Sequence, residues 1–351
     1  MEFGHGGDVR SFEEEFGYRP IDFSSNVSPL GAPEAVVRAA TEALDRVYEY
    51  PDPACHGLVA AIARHEGVAP AQVVCGNGSA DIIFRIAAAV RPRRALICAP
   101  TFSEYRRALE AVGCQVDVHL LDRGSGYRVD WRLVDAITGG TDLVFLCQPN
   151  NPTGLAASRA LVEHVLERCR EVGARLVADE CFVDLLDDPG AVTAVPLLDR
   201  WPELVIVKAF TKLYGMPALR LGYALCADAM LLEGMGRVAQ PWSVSGIAQA
   251  AGIAALECID HVQETRALVR AERQFLRTVL ASRGIEVQGE ANYLFFELDD
   301  GGALAAKMRE RGILIRDCSN YESLAPGAYR IAVKTHPENM SLLRALDACL
   351  R

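Results

Sequence analysis

Short apolar runs alternate with longer amphipathic stretches through the first two thirds of the chain. Ala95–Ala99, Leu143–Cys147, Arg175–Ala178 and Leu204–Val207 show little polar alternation, which predicts strands covered on both faces. Between them lie helical patterns. One starts near Glu104. Another covers Ser158–Glu171, with Leu161, Val165 and Leu166 on one face and Arg159, Glu163 and Glu167 elsewhere. Strands alternating with helices predict an α/β fold with a mostly parallel sheet between helices. From about Trp242 the pattern changes. A long helix is predicted over Gly246–Ser282, then strands at 292–296, 313–316 and 329–334, with a helix near Ala303–Arg311. These read as a smaller α+β domain. The stretch before Gly31 has few periodic apolar positions and reads as an arm packed on the rest. The predicted division is an arm over 1–30, a large domain over 31–240 and a small domain over 241–351.

Composition narrows the function classes. Half of the 351 residues are apolar and 23% are charged, enough for a sizeable core. The net charge of −10 argues against general binding to a nucleic-acid backbone, though not against a local basic patch for a small anion. No apolar run reaches the roughly 18–20 residues of a membrane span. Met1–His5 does not begin a basic-then-apolar signal segment. Eleven cysteines are scattered without a C-x-x-C pair, so zinc-ribbon and thioredoxin-like readings lack support and a reducing cytoplasm is expected.

Four segments carry candidate chemistry. Gly76-Asn77-Gly78-Ser79 follows Val73-Val74-Cys75 and opens a helix, where backbone N–H groups approach a phosphate. Asn151-Pro152-Thr153-Gly154 follows the strand ending at Cys147, a polar turn where α/β sheets bind ligands. Asp179-Glu180 ends the next strand. Thr211-Lys212 follows another, with Arg220-Leu221-Gly222-Tyr223 beyond it. Taken singly, each is a turn, a strand end or a surface charge. Together they supply a phosphate cradle, a polar turn, an acid for a ring nitrogen and a lysine nucleophile, which is the set pyridoxal 5'-phosphate needs.

Their order and spacing resemble the fold type I pyridoxal-phosphate enzymes of the aminotransferase class I/II superfamily over essentially the whole chain. The resemblance implies that Lys212 binds the cofactor covalently, that Asp179 faces its ring nitrogen and that Asn151 donates to its phenolic oxygen. It implies a phosphate cradle of Gly78, Ser79 and Ala80 with Thr211 and Arg220, and Phe102 stacked on the ring. Tyr50 matches a tyrosine reaching the cofactor phosphate of a neighbouring subunit, which implies a homodimer with shared active sites.

Among small members, the chain resembles the histidinol-phosphate aminotransferases and the threonine-phosphate decarboxylases of cobalamin synthesis. Similarity to the decarboxylases lies at His5-Gly6-Gly7-Asp8, Asp22–Asn26, Pro29–Gly31, Gln240–Val244, Ile313–Tyr321 and Asp179–Phe182. At Phe182 the aminotransferases usually carry a tyrosine whose hydroxyl reaches the phenolic oxygen. Two departures stand out. Ala209 replaces a serine common among relatives, and Lys334 stands where the decarboxylases commonly have an arginine; lysine keeps the charge but loses the bidentate fork.

The decarboxylase resemblance implies loss of carbon dioxide from O-phospho-L-threonine to give (R)-1-amino-2-propanol phosphate. His5, Asn26, Arg316 and Lys334 would form an anion pocket, with Arg330 on the carboxylate. Remote phosphate binding would hold the carboxylate out of the ring plane, the orientation decarboxylation requires. The alternatives are histidinol-phosphate aminotransferase, O-phospho-L-serine decarboxylase, and a DNA-binding regulator of the same fold. The regulators carry an added N-terminal module, for which the arm leaves no room.

Overall fold

The computed structural model describes residues 6–350. Strand β1 (Ile21–Asp22) belongs to the N-terminal segment. Strands β2 (Val73–Gly76), β3 (Arg94–Ala99), β4 (Gln115–Leu120), β5 (Leu143–Cys147), β6 (Arg175–Asp179), β7 (Leu204–Ala209) and β8 (Gly222–Cys226) form a seven-stranded sheet in the order β2-β8-β7-β6-β5-β3-β4. Only β8 runs antiparallel to its neighbours. The α/β architecture expected from the apolar pattern is therefore present.

The unbroken apolar strands are explained by their two neighbouring cores. Leu96, Val144, Leu146, Leu176 and Ile206 face one hydrophobic cluster; Ala95, Ile97, Phe145, Val177 and Val207 face the other. Successive side chains point to opposite faces, so a strand buried on both needs apolar residues at every position. Helices Ser79–Val90 and Glu104–Ala111 cover one face, with Ile82, Ile86 and Leu109. Helices His56–Glu66 and Arg159–Val172 cover the other, with Leu58, Ile62 and Val165. Ser158 caps the last of these by accepting from the Leu161 N–H, and Gly173, at φ 77°, ends it.

Beyond the large sheet, β9 (Tyr293–Glu297), β10 (Ile313–Leu314), β11 (Arg316–Asp317) and β12 (Ala328–Ala332) complete the strands. The order β11-β12-β9 is antiparallel, and β10 pairs parallel with β1. The run 313–316 is thus two short strands, not one. A third cluster, with Phe23, Leu276, Leu294, Phe296, Ile331 and Leu342, lies under these strands. The N-terminal segment is anchored to them: the Phe23 N–H donates to Leu314 O and the Ala332 N–H to Phe23 O.

The single long helix expected over Gly246–Ser282 is instead two, Gly246–Leu256 and Ile259–Ala281, separated at Glu257–Cys258. No proline or glycine marks that break. The two halves have different packing partners. The first helix is rich in alanine and lies against helices Glu34–Ala43 and His56–Glu66; the second packs on the C-terminal helix His336–Cys349. Gly252 permits the close approach, since a Cβ there would lie 2.4 Å from Leu221 Cδ2 and 2.9 Å from Leu58 Cδ1. No helix among the described residues is long and apolar enough to cross a membrane.

Candidate active site

The sheet topology gathers the chemistry at one edge. Strands β2, β3, β5, β6 and β7 all end there, and antiparallel β8 begins there. Cys147 pairs with Asp179, Asp179 with Val207, and both Gly76 and Ala209 with Gly222. Segments far apart in sequence therefore deliver side chains to one cavity of about 450 Å³. Of the residues singled out from sequence, Asn26, Ser79, Ala80, Phe102, Asn151, Asp179, Thr211, Lys212, Arg220, Arg316 and Arg330 line it.

The phosphate-cradle candidate lies at the N-terminus of helix Ser79–Val90. Gly78, at φ 85°, turns the chain into it. A Cβ on Gly78 would lie 2.7 Å from Arg220 Nη2, and one on Gly222 would lie 2.6 Å from Ser79 N. Glycines at these two positions let the helix start, Arg220 and β8 meet. Free N–H groups, a helix N-terminus and a guanidinium suit a phosphate.

Asp179 is buried at the end of β6. Its carboxylate accepts from Tyr105 Oη at 2.7 Å and from the Cys181 N–H at 3.1 Å. Burial raises its pKa even against these donors and the nearby Lys212. A cationic ring nitrogen would relieve that cost. Lys212 lies beyond the end of β7, with Nζ 5.5 Å from the Phe182 ring centroid. Burial, then the Arg330 guanidinium, pushes its amine down to about 8, so an uncharged, nucleophilic form is accessible near neutral pH.

Arg316 and Arg330 pair directly across the β11–β12 ladder. Both side chains therefore leave the same face, and both are buried. Like charges directly opposite are unfavourable by about 0.2–1 kcal/mol unless an anion sits between or beyond them. Arg330 Nη1 donates to Asn151 Oδ1 and Nη2 donates to Ser24 O at 2.7 Å. Among the described residues its Nε has no hydrogen-bond partner, and neither do Asn26 Nδ2 and Oδ1, although Asn26 is only 2% exposed. Buried polar groups are rarely left so. These three atoms are shielded from solvent, while the residues that carry them line the cavity.

The remaining residues lie elsewhere. Lys334 Nζ sits 5.8 Å from the Phe23 ring centroid and 3.6 Å from Glu338 Oε1, off the cavity wall. Tyr50 is 80% exposed and packs on Trp242 with ring centroids 4.5 Å apart. His5 lies outside the described residues. Its neighbour Gly6 lines the cavity, close enough to the chain that a Cβ would lie 2.2 Å from Ser24 O. Phe182 is both cavity wall and core aromatic, edge-on to Tyr293 with centroids 4.9 Å apart.

Sequence reasoning did not single out Tyr105, Glu104, Arg107, Ser24 or Tyr321. Glu104 is a buried carboxylate on the wall, paired with Arg107 at 2.8 Å. Tyr105 follows Phe102 by three residues on the same turn, the only signal it offered. Tyr321 donates to Asn151 Oδ1 at 3.2 Å. The donor set as a whole fits pyridoxal phosphate: a phosphate cradle, a buried acid for the ring nitrogen, an amide, an aromatic wall and a lysine of lowered pKa.

The aminotransferase class I and II family model matches residues 18–346, and the chain belongs to that family. Its members and structural neighbours are pyridoxal-phosphate-dependent enzymes. The chain is 36% identical over 348 residues to the threonine-phosphate decarboxylase of Salmonella typhimurium, covering 97% of this chain and 95% of that one. It is 32% identical to the histidinol-phosphate aminotransferase of Symbiobacterium thermophilum, covering 98% and 95%. Among solved structures, the L-threonine-O-3-phosphate decarboxylase of Porphyromonas gingivalis superposes with a TM-score of 0.82 at 25% identity, over 94% of this chain and 99% of that one. The histidinol-phosphate aminotransferase of Sinorhizobium meliloti, solved with pyridoxal-5'-phosphate, superposes with a TM-score of 0.88 over 100% and 95%; at 23% identity it speaks for the fold alone.

Proposed function

We propose that this chain is a pyridoxal-phosphate-dependent decarboxylase of O-phospho-L-threonine, releasing carbon dioxide and (R)-1-amino-2-propanol phosphate for cobalamin synthesis. The observation that carries the reading is the pair of buried guanidiniums, Arg316 and Arg330, opposed on one ladder beside Lys212 and Asp179. A substrate with a carboxylate and a phosphate matches them. The 36% identity to a threonine-phosphate decarboxylase supports the same reading.

When bound, the cofactor supplies an electron sink for the pair of electrons left at Cα. The residues of the chain do the rest. Arg330, whose charge acts directly on Lys212, takes the carboxylate, one bond from the reacting carbon. Its Nη1 and Nη2 keep Asn151 and Ser24, and the residue lines the cavity. Arg316 takes the more distant phosphate, and Asn26 lines the wall beside them. Asp179 would keep the cofactor's ring nitrogen protonated. Lys212, whose amine can give and take a proton near neutral pH, would carry a proton to Cα. His5 remains a candidate for the phosphate; Lys334, off the cavity wall and beside Glu338, does not.

We also propose a homodimer. Val47, Tyr48, Tyr50 and Trp242 are exposed apolar side chains on nearby segments, and Tyr50, packed on Trp242 but 80% exposed, would be covered by a neighbouring subunit.

Histidinol-phosphate aminotransferase is the second reading, favoured by the 32% relative. One experiment separates the two. The loaded protein is given O-phospho-L-threonine without a keto acid, and products are followed by mass spectrometry. Parallel reactions contain O-phospho-L-serine, or histidinol phosphate with 2-oxoglutarate. Carbon dioxide and aminopropanol phosphate support the proposal; glutamate formed from histidinol phosphate, with no carbon dioxide, overturns it.

A further inference from the structure

Phe182 puts a hydrocarbon ring on the cavity wall, its centroid 5.5 Å from Lys212 Nζ, where a tyrosine would put a hydroxyl. A different hydroxyl reaches the site from the segment after β11. Tyr321 is buried, lines the cavity and donates to Asn151 Oδ1 at 3.2 Å. Arg330 Nη1 donates to the same oxygen. We infer that Tyr321 is a positioning residue for the cofactor: with Arg330 it fixes the Asn151 amide so that Nδ2 remains the donor to the cofactor's phenolic oxygen, in place of the hydroxyl Phe182 lacks. The inference rests on the pyridoxal-phosphate reading above.

A carboxamide oxygen has two lone pairs. Here both are engaged, one by a guanidinium that can only donate and one by Tyr321. Turning the amide over would set its NH2 against the guanidinium and leave Oδ1 facing the cofactor. Burial raises the Tyr321 pKa, which keeps its hydroxyl protonated and able to donate. Two donors on the oxygen also polarise the amide, which strengthens the N–H opposite. The Arg316 guanidinium lies 5.3 Å from the Tyr321 ring centroid, so the same tyrosine floors the proposed phosphate site.

The test is a pH titration of the visible absorption band of the pyridoxal-phosphate-loaded protein, a readout independent of turnover. A donor to the phenolic oxygen favours its ionised form. Tyr321→Phe therefore raises the apparent pKa by about half a unit or more. The double variant Y321F/F182Y restores a hydroxyl to the site and brings the value back. In an Asn151→Ala background, Tyr321→Phe shifts nothing further, because the amide it positions is gone. An unchanged titration in Y321F overturns the inference, as does an equal shift in the Asn151→Ala background. A wild-type protein that develops no visible band with pyridoxal phosphate overturns the cofactor reading itself.

Discussion

Arg316→Ala is the sharpest perturbation of the anion pocket, because the ladder isolates its effect. The side chain is 9% exposed and directly opposite Arg330. A guanidinium gives a phosphate two charge-assisted hydrogen bonds, each about 1.5–3 kcal/mol. Taking the lower bound for both, the variant loses about 3 kcal/mol of phosphate binding, or roughly 10²-fold in kcat/KM. L-Threonine, which lacks the phosphate, never makes those bonds. Its slower turnover is expected to fall less than about five-fold. The fold is expected to survive. The variant loses the Asn320 contact and the position over the Tyr321 ring, and it relieves the like-charge opposition to Arg330. The ring and like-charge terms are about 1 kcal/mol or less, and the lost hydrogen bond to Asn320 about 1.5–3 kcal/mol, partly offset by the relief of the like-charge opposition.

The assay measures kcat/KM for O-phospho-L-threonine and for L-threonine in wild type, Arg316→Ala and Arg330→Ala, with thermal melting of each protein. Arg330→Ala is expected to depress both substrates together, since both carry the carboxylate. Equal losses for the two substrates in Arg316→Ala would refute the division of labour between the arginines.

Other outcomes follow from single contacts. Because burial holds Lys212 down to about 8, capture of pyridoxal phosphate by cofactor-free protein speeds up through that pH and levels off by about pH 9; a rate still climbing at pH 10 would contradict the lowered pKa. Gly222→Ala puts a Cβ 2.6 Å from Ser79 N and 2.7 Å from Gly78 C, both backbone, so cofactor affinity measured by absorbance titration falls at least about ten-fold; wild-type affinity would show that the cradle does not depend on this approach. Burial raises the Glu180 carboxyl to about 7, against the pull of Lys208 and of hydrogen bonds from Thr193 and Ala194. The folded state then holds that proton more tightly than the unfolded one, so its contribution to stability is present below the ordinary carboxyl range and fades as pH rises toward 7. Glu180→Gln should flatten this part of the urea-unfolding profile between pH 5 and 8; an unchanged slope would remove Glu180 as its source.

The large sheet was readable because its inner strands are buried on both sides and so are apolar at nearly every position. The exceptions have physical reasons. β4, Gln115–Leu120, lies at the sheet edge and alternates polar with apolar residues, and its Asp117 is tied to Arg94 of β3. β8 opens with Gly222, required by the approach to Ser79 rather than by strand propensity. The helix break at Glu257–Cys258 falls between two halves with different packing partners and leaves no local mark. The site divides in the same way. Lys212, Asp179, Asn151 and Ser79 lie at or just beyond strand ends, where the fold places ligands, and were legible as a set, their roles coming from the family resemblance. Tyr105 and Tyr321 act through other residues, and hydrogen bonds across 74 and 170 positions have no signature in a single sequence.

The N-terminal segment shows why substrate recognition was harder to read than cofactor recognition. The cofactor candidates come from one sheet edge. The substrate candidates come from three separate pieces: the arm, β11 and β12. Their meeting depends on pairing between Ile21–Asp22 and Ile313–Leu314, and on the Ala332 N–H reaching Phe23 O. That pairing sets Ser24 under Arg330 and brings Asn26 to the cavity wall. Arg330 is thus held from both sides, by the Ser24 carbonyl of the arm and by Asn151 beyond the large sheet. A carboxylate on its guanidinium would therefore be fixed by residues of all these pieces at once. In a reaction whose outcome depends on which Cα bond is aligned, the contacts that join the pieces of the site are also those that would set the alignment.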